Sequence, residues 1–426
     1  MESRKFGLAE NVFLVTGAKR AAIYNLEDGN VYSIDQEARK LLELCEQGLS
    51  PKAIFTENPE LNRGESIEYL NKLAESKLGR YLEAGEKIQK VDINKDQKLL
   101  SFIWLELTAG CNLKCVHCYA GSNPSLIGKD RMSIQDWLSV IDQVSDLGCK
   151  KLQFIGGEPL ILGENLIRLI KYARKRSFAF VEVFTNATIL TDRMLDALKE
   201  HKVNVAVSFY GDDPAIHERI TLGKNSHAHT VSNVKRMLAA GLEVRAGIVG
   251  MIHNQDNLEE TKCFLTELGI PRVGVDLVRP SGRGCNNDLV PTKLISSTYL
   301  TRPVFPKCTK EIFTQRHYGH NCFSKKVCVG PSGDVYPCIM ERDMSYGNVL
   351  ETSLENILKK GRAQRIRQLS KDHIEICRDC EYRYACFDCR PKAKNMDKSG
   401  SFVAKPTECL YSPYLGEWGS LEETPT

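Results

Sequence analysis

Three cysteines fall within eight residues, at Cys111, Cys115 and Cys118, spaced C-x3-C-x2-C. Thiolates at this spacing can wrap one face of a cubane cluster. A [4Fe–4S] cluster ordinarily takes four cysteines, so three leave one iron open to an outside ligand. The same logic keeps a catalytic zinc site open. A zinc knuckle, or three buried thiols, would also fit the spacing. Eight more cysteines crowd the last third of the chain: Cys322, Cys328, Cys338, Cys377, Cys380, Cys386, Cys389 and Cys409. Eight is what two fully protein-ligated [4Fe–4S] clusters require. Two zinc-ribbon sites compete with that reading, because paired C-x2-C units are also zinc signals. Cys45, Cys149 and Cys263 lie in or beside helical patterns and read as small buried hydrophobes, while Cys285 and Cys308 lie in loops.

Composition favours metal over disulfides. Sixteen cysteines in 426 residues, behind a charged start with no apolar signal segment, imply reduced thiols and a cytoplasmic location. The net charge of +4 is too balanced for a protein held mainly by phosphate neutralisation, so no nucleic-acid partner is expected. No apolar run approaches the ~18 residues of a membrane span. With 42% apolar and 26% charged residues the chain is an ordinary globular one.

Three regions must position these cysteines. Residues 1–85 begin with strands over 12–16, 21–24 and 30–34, followed by helices over 36–47 and 64–76, a small winged-helix-like module. Residues 86–99, rich in lysine, read as a linker. Residues 100–299 alternate strand and helix. Strands are expected over 102–107, 152–155, 180–184, 203–209, 244–251 and 273–278. Helices are expected over 133–147, 164–174, 192–200, 230–240 and 258–268. Six such repeats imply a parallel sheet, because each crossover needs a helix to return the chain. In such folds chemistry gathers at the carboxyl ends of the strands. Residues 300–426 lose this rhythm, with one helical stretch over 354–369, and need metal clusters as staples.

The run Cys111-Asn-Leu-Lys-Cys115-Val-His-Cys118 after the first barrel-type strand resembles the signature of the radical S-adenosylmethionine (radical SAM) enzymes. His117 stands where that family usually has an aromatic residue, and packing beside the cluster suits it better than ligation. Gly156-Gly157-Glu158-Pro159 follows the second strand, as the family's GGEP segment does. Two glycines let a backbone approach a ligand closely, and Glu158 can accept from the methionyl ammonium. The resemblance further implies that Ser208 and Arg219 hold the cofactor carboxylate. It implies that Thr185, Asn186 and Val249 meet the ribose and adenine, with Glu182 a further ribose contact. The expected fold is a partial (β/α)6 TIM-like barrel.

The second cysteine pattern resembles the SPASM extension of radical SAM peptide-modifying enzymes. Carried over by order, a first auxiliary cluster takes Cys322, Cys328, Cys338 and Cys389. A second takes Cys377, Cys380, Cys386 and Cys409. The family's last pair is usually C-x3-C, whereas only Phe387 and Asp388 separate Cys386 from Cys389, which puts the role of Cys389 in question. Residues 1–85 resemble a precursor-recognition domain, in which a leader peptide adds to the third strand's edge. A structural cap on the barrel is the competing reading.

Together the resemblance implies three [4Fe–4S] clusters, S-adenosylmethionine, a ribosomal precursor peptide with a leader, and an external electron donor of flavodoxin or ferredoxin type. The family's mechanism cleaves the cofactor to a 5′-deoxyadenosyl radical, which removes a hydrogen atom from the peptide. The run 380–391 looks like maturases of cysteine-rich peptides, so a sulfur-to-carbon thioether is the expected bond. Carbon–carbon crosslinking is the nearest rival. Sulfatase maturation is disfavoured, because those enzymes carry aspartate immediately after the cysteine matching Cys338, and here that residue is Ile339. A non-radical electron-transfer or zinc-scaffold protein is the rival of another class.

Overall fold

The computed structural model describes residues 2–94, 99–292, 305 and 307–419. The chain divides into two compact units, one of residues 1–96, 297–321 and 368–426, the other of residues 97–296 and 322–367. The stretch expected as a single domain over 300–426 is therefore divided between the two. Its expected start at 300 lies outside the described residues.

The second unit holds the barrel. Strands β6 (Phe102–Glu106), β7 (Lys151–Ile155), β8 (Phe180–Thr185), β9 (Asn204–Phe209), β10 (Val244–Gly250) and β11 (Arg272–Leu277) pair in parallel in chain order. Helices return the chain between them: α4 (Ile134–Asp146), α5 (Glu164–Lys175), α6 (Asp192–Glu200), α7 (Pro214–Thr221), α8 (Ser226–Ala239) and α9 (Leu258–Glu267). This is the expected α/β repeat, with one helix more than the pattern gave between β9 and β10. Ser133 and Asp136 close a capping box at the start of α4, which satisfies the first free N–H groups. The apolar stripe of α5, Leu166, Ile167, Leu169, Ile170 and Ala173, is buried in the barrel core.

The sheet does not stop at β6. Strand β12 (Lys326–Val329) adds parallel to it, opposing Cys328 to Trp104, and β13 (Asp334–Tyr336) and β14 (Gly347–Asn348) extend it further. One late cysteine, Cys328, is thus carried by the barrel's own sheet, and Cys338 follows two residues after β13. The helix expected over 354–369 is two helices, Leu354–Lys359 and Gly361–Arg367, broken where Gly361 takes φ 56°.

The first unit contains a three-stranded antiparallel sheet of β2 (Val12–Thr16), β3 (Ala21–Asn25) and β4 (Val31–Ile34), with β4 at its edge. A short pair, β1 (Phe6–Leu8) with β5 (Gly79–Tyr81), was not legible in the pattern. Helices α1 (Gln36–Glu46), α2 (Pro51–Glu57) and α3 (Arg63–Glu75) follow the sheet. The expected linker is not detached as far as residue 94. Lys90 Nζ donates to the carbonyls of Leu8, Ala9 and Val12, which ties that segment down. Tyr24, Val15 and Ala22 share an apolar cluster with Cys308, Phe313 and Tyr384 of the same unit. Cys45, Cys149 and Cys308 are buried, but Cys263 is exposed, because its position on α9 faces away from the strands.

Candidate active site and cluster ligands

A cavity of about 1010 Å³ opens within the second unit. Cys111, Cys115, Cys118, Gly156, Gly157, Glu182, Thr185, Asn186, Ser208 and Val249 all line it, so most of the expected site residues meet in one place. The Cys111 thiol feels the charge of Cys118, and that of Cys115 feels both Cys118 and Cys111. Burial pushes the Cys111 thiol up to about 12 and raises that of Cys115 further. Such groups become thiolates only when a cation takes them. Among the described residues no three His, Cys, Asp or Glu side chains converge on one point, as a single metal ion would need.

The cysteine loop is fastened from three sides. Leu113 N–H points at the Cys111 sulfur at 3.4 Å, and Asn186 Nδ2 reaches it at 3.8 Å. Arg283, absent from the expected site, donates through Nε to the Cys115 carbonyl at 2.8 Å and through Nη2 to that of Ser122. Val116 N–H bonds the Ile220 carbonyl at the end of α7. His117 lies edge-on to Tyr210 at 4.9 Å, its pKa lowered to about 4 by burial. That placement matches packing.

The glycine segment is set by close approach. Gly156 has φ 141°, and a Cβ on Gly157 would stand 1.9 Å from the Gly110 carbonyl oxygen, beside Cys111. Any side chain at 157 must move the backbone next to the cysteine loop. Gly157→Ala should therefore weaken SAM binding at least roughly tenfold, about 1.4 kcal/mol, as read by equilibrium dialysis.

Glu158 stands behind the cavity wall rather than in it. It is completely buried and does not line the cavity. Its oxygens accept from Leu160 N–H at 2.9 Å, Thr185 Oγ1 at 2.6 Å and Asn186 N–H at 2.7 Å. Burial pushes its pKa up to about 7 while these donors pull it down. With its lone pairs so used, Glu158 clamps the glycine segment to the end of β8 and has no carboxylate oxygen facing the cavity. Pro159 is likewise buried. Arg219 is exposed, outside the cavity wall, with Nη2 2.6 Å from the His253 carbonyl. Glu182 does face the cavity, but Arg245 grips it through Nε and Nη2 at 2.8 Å each, and Gln153 Nε2 bonds it too. It forms a neutralised polar patch with Gln153 and Arg245.

Of the late cysteines, Cys322, Cys328 and Cys338 belong to the barrel's unit. Cys377, Cys380, Cys386, Cys389 and Cys409 belong to the other. Within that unit Cys377 lies in electrostatic reach of Cys386 and Cys409, and Cys380 of Cys377 and Cys386. Beside them is a charge cluster that sequence reading missed. Asp388 is buried against Lys371 Nζ at 3.1 Å, His320 Nε2 at 2.8 Å and Arg390 Nε at 2.5 Å. Lys371 also lies within electrostatic reach of Cys386, and its pKa is raised, chiefly by Asp388 working against burial. Two buried cations against one carboxylate leave excess positive charge, which is costly unless something negative is bound. A thiolate-ligated cluster on Cys377, Cys380, Cys386 and Cys409 is such a group.

Residues 105–265 match the radical SAM superfamily and residues 322–381 an iron–sulfur cluster-binding domain, SPASM. The chain is a radical SAM enzyme with a SPASM domain. Its cofactors are S-adenosylmethionine and [4Fe–4S] clusters. It is 25% identical over 366 residues to the antilisterial bacteriocin subtilosin biosynthesis protein AlbA of Bacillus subtilis (strain 168), covering 81% of this chain and 80% of AlbA. It is 24% identical to the AdoMet-dependent heme synthase of Methanosarcina barkeri, covering 72% of this chain and 95% of that one. Streptococcus suis SuiB superposes with a TM-score of 0.57 over 95% of this chain and all of SuiB, at 15% identity, a likeness of fold. Among the described residues no helix is long and apolar enough to cross a membrane.

Proposed function

We propose that this radical SAM enzyme modifies a ribosomally made precursor peptide and closes a sulfur-to-carbon thioether within it. The observation that carries the reading is the long match to a bacteriocin biosynthesis protein, together with a three-stranded sheet in which β4 is an edge strand. The heme synthase is matched almost to its full length yet leaves more than a quarter of this chain unmatched. The additional chain is what a peptide maturase needs for its substrate. SuiB, with the same fold, has been solved with its precursor peptide SuiA. Ile339, the residue at the place where sulfatase-maturing enzymes carry an aspartate, lines the cavity, which disfavours that chemistry.

In this reading Cys111, Cys115 and Cys118 hold a cluster with one open iron, and residues 1–85 hold the leader. The eight late cysteines hold two auxiliary clusters, and a flavodoxin- or ferredoxin-type protein supplies electrons. When bound, cluster and cofactor supply a reductively generated carbon radical that takes a hydrogen atom from the peptide. The chain's own work is placement. Arg283 and Asn186 fix the cysteine loop. Gly156 and Gly157 bring backbone against the cofactor. Ser208 and Val249 form the wall at the strand ends, and the Glu182–Arg245 pair keeps the barrel interior polar without net charge.

The test uses the reconstituted enzyme, SAM, a reductant and the short peptide encoded beside its gene. The expected product has lost the mass of two hydrogens for each crosslink, and its cysteines resist alkylation by iodoacetamide. Loss of mass with cysteines still alkylated would transfer the reading to carbon–carbon crosslinking. An unchanged peptide would overturn it.

A further inference from the structure

Arg342 lies four residues after Cys338 and bridges the two groups of cysteines in the barrel's unit. Its Nη2 is 2.5 Å from both carboxylate oxygens of Glu106, a side chain only 1% exposed. Its guanidinium carbon lies 5.4 Å from the ring centre of Tyr119 and 5.2 Å from that of Tyr336. Tyr119 directly follows Cys118. Tyr336 stands opposite Cys328 in the β12–β13 ladder, and the wholly buried Cys328 thiol lies within electrostatic reach of Glu106. A carboxylate held against a buried cysteine becomes a liability once that cysteine is a thiolate. The guanidinium is the cation placed to offset it.

We propose that Arg342 and Glu106 jointly set the reduction potential of the auxiliary cluster on Cys322, Cys328 and Cys338, with Arg342 the positioning residue that favours its reduced state. This rests on the proposed reading of those cysteines as cluster ligands. Reduction adds one negative charge to the cluster, which a nearby cation stabilises and a nearby anion opposes. The charge matters to the proposed chemistry. When a thiol closes on the substrate carbon radical, the C–S bond forms and the S–H bond breaks. One proton leaves to solvent and one electron must be taken up. The auxiliary cluster is the acceptor, and Arg342 makes it a better one. By stacking on Tyr119, the same side chain also ties the loop of the catalytic cysteines to the acceptor's ligands.

The test is an anaerobic redox titration of the fully reconstituted enzyme, followed by electron paramagnetic resonance. Arg342→Gln should lower the potential of one cluster, because Glu106 is left uncompensated. Glu106→Gln should raise that same potential, because the cation is left alone. Arg342→Lys, which keeps the charge, should shift it least. Iron content and the other signals should stay as in the parent protein. A merely structural role predicts lost iron or shifts of one sign, and opposite signs are what it cannot produce. Shifts of the same sign, or none with full iron content, overturn the proposal. Should Arg342→Gln lose the cluster, the direction of the Glu106→Gln shift still decides. A parent protein with iron for one cluster only would remove the auxiliary-cluster reading first, before any variant is made, and this inference with it.

Discussion

Replacing Cys111, Cys115 and Cys118 together by alanine should lower the iron content by about four atoms per chain and bring 5′-deoxyadenosine formation down to background. The fold should survive. The loop is held by backbone and Arg283 contacts that need no thiol, including Val116 to Ile220 and Arg283 to Cys115 and Ser122. Circular dichroism should therefore be unchanged. Alanine at Cys377, Cys380 and Cys386 should also cost iron, but with a different signature. It removes the negative cluster beside Lys371 and Arg390, so a fall in melting temperature should accompany the lost cluster. If the first triple variant still released 5′-deoxyadenosine, the catalytic assignment would be wrong.

The second large effect concerns the leader. Asn25 N–H bonds the Asn30 carbonyl, and the β3–β4 register continues through Ile23 opposite Tyr32 and Ala21 opposite Ile34. Leu26 N–H bonds the Asn11 carbonyl and Gly17 N–H the Arg20 carbonyl at the two ends of the β2–β3 ladder, so the intervening β3 residues Ala21, Ile23 and Asn25 serve β4. Val31 and Ser33 therefore present their N–H and C=O groups outward. A leader adding as a fourth strand must bond there. Ser33→Pro removes an outward donor and should weaken leader binding by roughly three- to tenfold, about 1 kcal/mol, with little loss of stability. Ser33→Ala controls for the hydroxyl, which accepts from Arg20 Nε at 3.0 Å. Tyr32→Pro instead breaks the ladder to β3 and should lower the melting temperature. Fluorescence anisotropy of a labelled leader distinguishes them. Unchanged leader affinity in a folded Ser33→Pro protein would return residues 1–85 to the role of a cap. Deleting those residues is a poor substitute. Tyr24 donates to the Glu381 carbonyl at 2.8 Å, and Arg383 Nη1 to that of Thr16. The deletion would strip support from the segment that carries Cys377, Cys380 and Cys386.

The barrel was legible in the sequence because its signals are local. Each strand is a short apolar run and each helix an apolar stripe of its own. The cysteine groups were legible because three thiols in eight residues need no tertiary knowledge to be seen. What was not legible depends on partners far apart in the chain. Glu158 reads as a ligand beside two glycines, yet folding brings Thr185 and Asn186 onto its oxygens and turns it into a clamp. Asp388 looks like a surface residue in a shortened spacing until Lys371, His320 and Arg390 surround it. Arg219 reads as a carboxylate contact only through the resemblance, and in the fold its guanidinium, near the end of α7, donates to the His253 carbonyl. Strands β12 to β14 are too short to show a period, and only the ladder that runs from β6 through β12 and β13 to β14 makes them strands.

The central claim is that the cavity beside Cys111, Cys115 and Cys118 takes a hydrogen atom from a peptide. The most direct measurement uses the precursor peptide with deuterium at its carbon-bound positions, incubated with the reconstituted enzyme, SAM and a reductant. The account predicts deuterium in the 5′-deoxyadenosine that forms, matched in amount to the crosslinked peptide. Turnover of SAM with unlabelled 5′-deoxyadenosine and an unchanged peptide would contradict it.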